Sequence, residues 1–272
     1  MSVVINIKGK LNIKDIINDN IGYGVRDTAY RLCKAPDNSK SFVVFNNKVL
    51  GRGIDIDISD NEVELKLPAL ANKEEVNLIY DLTKKICDIN NIKEFEREGQ
   101  NTSIDDIDIL LNTELDNVIN DLETIKSFLT TQDDGYITIF GVTNPIDIST
   151  KLIDDLDNDY DKFQEFINRI QHLDAYYSAP IIMKDKYGKR QGVFLFNPNK
   201  PHILPIKPVL NNAEASKDLV IDKWYIGNED GLMPYDNFIE IYKNNPLYDA
   251  NHVIVQLDEV DYYQLLKKYN IM

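Results

Sequence analysis

Residues 54–67 read IDIDISDNEVELKL. Ile54, Ile56 and Ile58 fall on one side of an extended chain, and Asp55 and Asp57 on the other. Asp60-Asn61 makes a turn, and Val63, Leu65 and Leu67 then repeat the alternation up to Pro68. Two runs of period two joined by a short polar turn predict an antiparallel hairpin with one face buried and one solvated. Asn72 follows, with Glu75 three residues on, the pair that closes a capping box. Val76, Ile79, Tyr80, Thr83, Ile86 and Cys87 share one helical face, so a helix is predicted from Asn72 to about Asp88.

Working outward, strands are expected at Val3–Ile7, Ser41–Phe45 and Lys48–Leu50, with a short helix or turn at Leu11–Ile17. Lys93–Asn101 is polar and contains Gly99, which suggests a division into residues 1–98 (β-hairpin plus helix) and residues 99–272. Ser103 and Asp106 look like a second capping box. After them Leu115, Val118, Ile119, Leu122, Ile125 and Leu129 recur at helical spacing, with a short helix at Ile104–Leu111 as an optional prelude. A turn at Asp134-Gly135, a strand at Tyr136–Phe140 and a short helix from Ser149 or Thr150 come next. A helix from about Asp159 carries Phe163, Phe166, Ile167, Ile170 and Leu173. The remainder reads mainly as β, with a hairpin pairing Ile181–Met183 with Gly192–Asn197. Strands follow at His202–Ile206, Leu219–Ile226 and Asn251–Leu257, and helices at Pro234–Tyr242 and Asp258–Tyr269. Strands and helices come in blocks rather than in strict βαβ alternation. The expected class is therefore α+β, antiparallel sheets with amphipathic helices packed on them, in two subdomains.

The chain has 272 residues and a formal net charge of −15. That charge is concentrated. Residues 103–162 carry 15 acids against Lys126, Lys151 and Lys162, a net of −12, while the flanking segments are nearly neutral. Nucleic acid is a poor partner for such a surface, because phosphate binding needs basic side chains. The opening MSVVINIKGKLNIKD has no basic segment ahead of a long apolar run, so no signal peptide is expected. No apolar stretch approaches the roughly 18 residues of a membrane span. Cys33 and Cys87 lie far apart without a CxxC partner, which favours reduced thiols over a lone disulfide. A cytoplasmic location is expected.

Catalytic motifs are sparse. Gly22-Tyr-Gly24 lacks the third glycine of a dinucleotide loop, and there is no GxxxxGK[ST] and no GxSxG. Gly51-Arg52-Gly53 resembles the Gly-Arg of a phosphopeptide-binding forkhead-associated domain, but the Ser-x-x-His that should follow is absent. The glycines then serve a turn, and Arg52 remains a candidate anion ligand. His172, His202 and His252 have no neighbours at triad or zinc-ligand spacing, and whether they meet in space is open. Asp155, Asp157 and Asp159 alternate like a calcium loop. Tyr160 stands where the loop needs Gly, though, and Phe166 where it needs a bidentate Glu, leaving at most a weak divalent site. No cofactor is expected.

The stretch FNNKVLGRGIDIDISDNEVELKLPALANKEEVNLIYDLTKKIC, Phe45 to Cys87, combines Gly-Arg-Gly, the alternating hairpin, Leu-Pro and an acid-led helix containing Ile-Tyr. With the opening MSVVINIK and the chain length, it resembles a bacterial family, domain of unknown function 4299. The resemblance implies a cytoplasmic bacterial protein and brings no activity, cofactor or catalytic residue with it.

Three function classes stay open. The leading expectation is a non-enzymatic protein that binds a basic protein through an acidic helical face in residues 103–162, with Asp116, Asp121 and Glu123 as its contact residues. The second is an enzyme that assembles carboxylates or histidines in a cleft. The third is a structural or assembly protein whose hairpins form oligomer contacts.

Overall fold

The computed structural model describes residues 2–132, 135–184, 186–208 and 220–269. It divides into two compact units, Met1–His172 and Leu173–Met272. The division expected near residue 98 falls instead inside a hairpin. Strands β7 (Glu94–Arg97) and β8 (Gln100–Ser103) pair across Glu98 and Gly99 and extend the sheet of the first unit. Polar residues with a glycine mark a tight turn as readily as a linker, and here Gly99 takes φ +76° to make the turn.

The first unit is built on eight antiparallel strands in the order β3-β2-β4-β5-β6-β1-β7-β8. Their ranges are β1 (Val3–Lys8), β2 (Ile21–Arg26), β3 (Leu32–Cys33), β4 (Ser41–Asn46), β5 (Ile54–Ile58) and β6 (Glu62–Leu67), with β7 and β8 as above. The hairpin of residues 54–67 is present, with Ile56 opposite Leu65 and Ile58 opposite Val63. Lys48–Leu50 forms no strand; it is the bend between β4 and β5. Helix α1 (Lys73–Asn90) lies on the apolar face of the sheet. Val76, Ile79, Leu82 and Ile86 join Ile5, Ile7, Ile54, Ile56, Val63 and Leu65 in one core. Burial of that stripe, at about 25 cal/mol per Å² of apolar surface, is what fixes register and helix together. Cys87 is buried in this core and Cys33 is exposed, and both are free thiols. The unit is completed by α2 (Ile107–Leu129), hairpin β9 (Tyr136–Phe140) and β10 (Pro145–Ser149), α3 (Thr150–Asp155) and α4 (Tyr160–Gln171).

The second unit holds two sheets. One is β11 (Tyr176–Tyr177), β14 (His202–Pro205) and β17 (His252–Val255), in the order β11-β14-β17. The other is β12 (Ile181–Lys184), β13 (Arg190–Leu195), β15 (Lys223–Asn228) and β16 (Gly231–Pro234), in the order β12-β13-β15-β16. Most neighbours are antiparallel, while β11 with β14 and β13 with β15 run parallel. Helices α5 (Tyr235–Tyr242) and α6 (Glu259–Tyr269) complete a core of Phe194, Phe196, Ile226, Tyr235, Phe238 and Tyr262. Much of the tyrosine enrichment is therefore core: Tyr177, Tyr225, Tyr235, Tyr248 and Tyr262 are buried. The expected strand at Leu219–Ile226 begins at Lys223, and Asp134 of the expected turn and Leu219 lie outside the described residues. The class is α+β.

Candidate partner-binding face on the acidic helix

Ser103 caps a 3₁₀ turn, Ile104–Asp106, by accepting a hydrogen bond from the Asp105 amide at 3.2 Å. The chain runs from that turn straight into α2, so there is one long helix and no separate Ile104–Leu111 segment. At 100° per residue, Ile107, Glu114, Val118, Asp121, Leu122 and Leu129 fall on one half of α2, and all six are buried. Ile109, Asn112, Asp116, Ile119, Glu123 and Ser127 fall on the other half, and all are exposed. Ile119, expected on the apolar stripe, faces solvent together with Ile109.

The acids of α2 divide in the same way. Glu114 is buried and pairs with Arg97 of β7, whose Nε donates to the Tyr80 hydroxyl at 3.3 Å. Asp121 is buried too, and accepts the Leu70 amide at 3.0 Å. Asp121 thus departs from the expected contact set: it stands one helical turn from Val118 and Ile125, on the core side, and holds the β6–α1 loop. Asp116 and Glu123 are exposed as expected, and Asp105 and Asp106 extend their face toward the N-terminus. Among the described residues no Lys or Arg pairs with these four, whereas Lys84 takes Asp108 at 2.9 Å.

The loop that Asp121 grips is held from every side. Leu70 sits at φ +60°, a conformation a bulky residue adopts only when its surroundings enforce it. Its amide goes to Asp121 and its carbonyl accepts Gln164 Nε2 at 3.2 Å. Arg52 Nη1 donates to the Ala69 carbonyl, and the Tyr160 hydroxyl donates to the Ala71 carbonyl at 2.8 Å. Glu75, fully buried, accepts the Asn72 amide at 2.8 Å and the Gly53 amide, while the Asn72 side chain accepts the Glu75 amide. The expected capping box is present and doubles as an anion cradle. Gly51 permits it, since a Cβ there would meet the Glu75 carboxylate oxygens at 2.7 Å. Burial raises the Glu75 carboxyl and lowers Arg52 to about 10, and the amide donors and the charge of each favour the ionised form of the other. The anion that the backbone of the Gly51-Arg52-Gly53 turn receives is the chain's own Glu75, and the Arg52 guanidinium donates to the Phe140 and Ala69 carbonyls.

The family model for domain of unknown function 4299 matches residues 1–265. The chain belongs to this family. No curated protein matches the chain, and no solved structure does. The match to domain of unknown function 4299 runs through all of the first unit and most of the second.

Two further groups of candidates are placed within this domain of unknown function 4299 fold. Asp155 pairs with Lys151 at 2.6 Å and Asp157 with Lys162 at 2.5 Å, and Asp159 caps α4 by accepting the Lys162 amide at 2.9 Å. The Lys162 partner holds the Asp157 carboxyl below its ordinary range. Asp155, Asp157 and Asp159 do not converge as ligands of one ion. Of the histidines, His172 is exposed at the end of α4, its Nδ1 2.8 Å from the Asn168 carbonyl oxygen. His202 and His252 lie on opposite faces of the β11–β14–β17 sheet. His202 pairs across from Val255 on the core side, whereas His252 pairs across from Pro205. His252 Nδ1 meets Asp249 at 2.9 Å and its Nε2 meets the Tyr177 hydroxyl at 3.1 Å. His202 stacks on Phe196 with centroids 4.5 Å apart, its Nδ1 3.0 Å from Ser178 Oγ, and burial lowers it to about 4.

Proposed function

We propose that this protein acts by binding a basic protein through the outward face of the 3₁₀ turn and α2, rather than by catalysis. The observation that carries this reading is the sorting of charge on α2. Its inward acids, Glu114 and Asp121, are satisfied inside the fold. The outward acids Asp105, Asp106, Asp116 and Glu123 have no cationic partner among the described residues and are interleaved with exposed Ile109 and Ile119. Unneutralised carboxylates at short spacing create a negative potential that speeds encounter with a basic surface, and exposed apolar side chains give a bound partner something to desolvate. The acids of α3 and α4 are a weaker candidate for the same role, because lysines from the same region already neutralise several of them.

The test is capture on immobilised protein, with bound proteins identified by mass spectrometry. The unmodified chain should retain a set rich in basic proteins that thins as salt rises past physiological strength, where the Debye length is about 8 Å. A variant with Asp105, Asp106 and Asp116 changed to Asn and Glu123 to Gln should lose that set while keeping its melting temperature. A folded variant that keeps every captured protein at every salt concentration refutes the reading.

A further inference from the structure

A second contact surface lies in the second unit and stands independently of α2. We propose that β12 receives an extended, acidic segment of another protein as an added strand of its sheet. β12 stands at the end of the order β12-β13-β15-β16, and among the described residues it pairs with β13 alone. Successive residues of a strand turn their N–H and C=O groups to opposite sides, so about half of those on β12 point away from β13. Among the described residues no other hydrogen bond reaches them. The far edge of the same sheet is managed differently. There α5 and α6 pack against β16, one of the ways natural sheets close an edge to further pairing. The β12 edge is also apolar on one face. Ile181 lies opposite Val193, two residues before Leu195 on β13, so Ile181, Met183 and Leu195 share the face turned away from Phe194 and Ile226 of the core. They are 47%, 43% and 44% exposed. An open ladder and exposed apolar side chains beside it are two independent features, and strand addition uses both: main-chain bonds for affinity and alternate side chains for specificity.

Size and charge select the occupant. β12 is four residues long, about 13 Å of strand. That suits a single peptide strand and falls well short of the roughly 800 Å² per partner that a stable interface between globular proteins covers. The hairpin turn beside it is basic, because residues 184–190 contain Lys184, Lys186, Lys189 and Arg190 against Asp185 alone. Exposed charges act over about 8 Å at physiological salt, so this local excess governs what approaches β12 rather than the net −15 of the chain. A second copy would bring one basic hairpin against another, whereas a segment with acids at its ends would neutralise it. The middle of that segment would carry two aliphatic side chains, two residues apart, to lie beside Ile181 and Met183.

The probe is a fluorescently labelled peptide, Glu-Glu-Val-Thr-Val-Glu-Glu, with two counterparts: one has Lys in place of Glu, and the other is N-methylated at the Val-Thr-Val amides. Binding to the full chain is followed by fluorescence anisotropy at physiological salt. The acidic peptide should bind about tenfold or more tightly than the lysine peptide, and the N-methylated peptide should not bind. Amide hydrogen exchange should slow within residues 181–184 when the acidic peptide is present. Ile181→Thr with Met183→Thr keeps β propensity while removing the apolar face, and should weaken binding about tenfold without changing the melting temperature. Undiminished binding of the N-methylated peptide, preference for the lysine peptide, binding indifferent to the double Thr variant, or no binding at all overturns the assignment. Self-association of the free chain in sedimentation that the double Thr variant abolishes also overturns it, and gives the edge to a second copy. None of these outcomes bears on α2, which is judged by capture of basic proteins on its own carboxylate variants.

Discussion

Asp116 and Asp121 stand five residues apart on α2, about 140° around its axis, and that angle decides what each does. Asp121 is buried against the Leu70 amide; Asp116 meets water. Asp121→Ala orphans a buried amide donor and should cost about 1–3 kcal/mol in urea unfolding, whereas Asp116→Ala should stay within about 0.5 kcal/mol. The sequence alone could have separated them, because Asp121 lies three residues after Val118 and four before Ile125, inside the apolar repeat. Charge type outweighed helical phase in the expectation. His202 gives a second test at this scale. Its Nε2 lies 3.1 Å from the Asn197 amide nitrogen and 3.2 Å from the Asn197 carbonyl oxygen, and its Nδ1 3.0 Å from Ser178 Oγ, so both ring nitrogens are engaged inside the fold, where burial disfavours the charged ring. Its folded value of about 4 lies below the ordinary 6.5, so between those values the unfolded chain binds a proton that the folded chain does not. Stability should therefore fall as pH drops from 6.5 toward 4, by about 2–3 kcal/mol in all. Melts at pH 7 and pH 4.5 should show a steeper loss for the unmodified chain than for His202→Asn.

The element with the most depending on it is not a strand or a helix but the loop of residues 68–72. Side chains from Arg52, Glu75, Asp121, Tyr160 and Gln164 hold its backbone, and they come from the β4–β5 bend and from α1, α2 and α4. Glu75→Ala removes half of the capping box, leaves the Asn72 and Gly53 amides buried without their acceptor, and takes away the largest of the carboxylate charges acting on Arg52, leaving those of Asp55 and Asp121. Losses of about 3–5 kcal/mol are expected by urea titration, with the far-ultraviolet spectrum of any folded fraction unchanged. The capping box was legible because Asn72 and Glu75 are three residues apart in the chain. The cradle was not, because Gly51 and Gly53 reach Glu75 only through the closing of the β5–β6 hairpin. The same limit explains the β7–β8 turn: Glu98-Gly99 reads as a linker until β1 is seen to need a neighbour. The long helices and the alternating strands at residues 3–7, 54–58 and 63–67 were legible, whereas the strands Ile21–Arg26, Pro145–Ser149 and Gly231–Pro234 were not expected. Pairings between distant strands, and the parallel neighbours of the second unit, carry no local signal.

For the whole molecule the issue is whether net charge or its placement does the work. A chain at −15 attracts basic proteins weakly and without preference through its total field. A binding face predicts something narrower, that four carboxylates on α2 matter and four others of equal charge do not. Asp154, Asp155, Asp157 and Asp161 supply the control, since each is paired with a lysine. The most direct measurement compares capture of basic proteins, at matched salt, by two variants with the same net charge. One has Asp105, Asp106 and Asp116 changed to Asn and Glu123 to Gln; the other has Asp154, Asp155, Asp157 and Asp161 changed to Asn. The account predicts that the first loses the captured proteins while the second keeps them. Equal losses in the two would show that only total charge was acting, and loss confined to the second would move the face off α2 altogether.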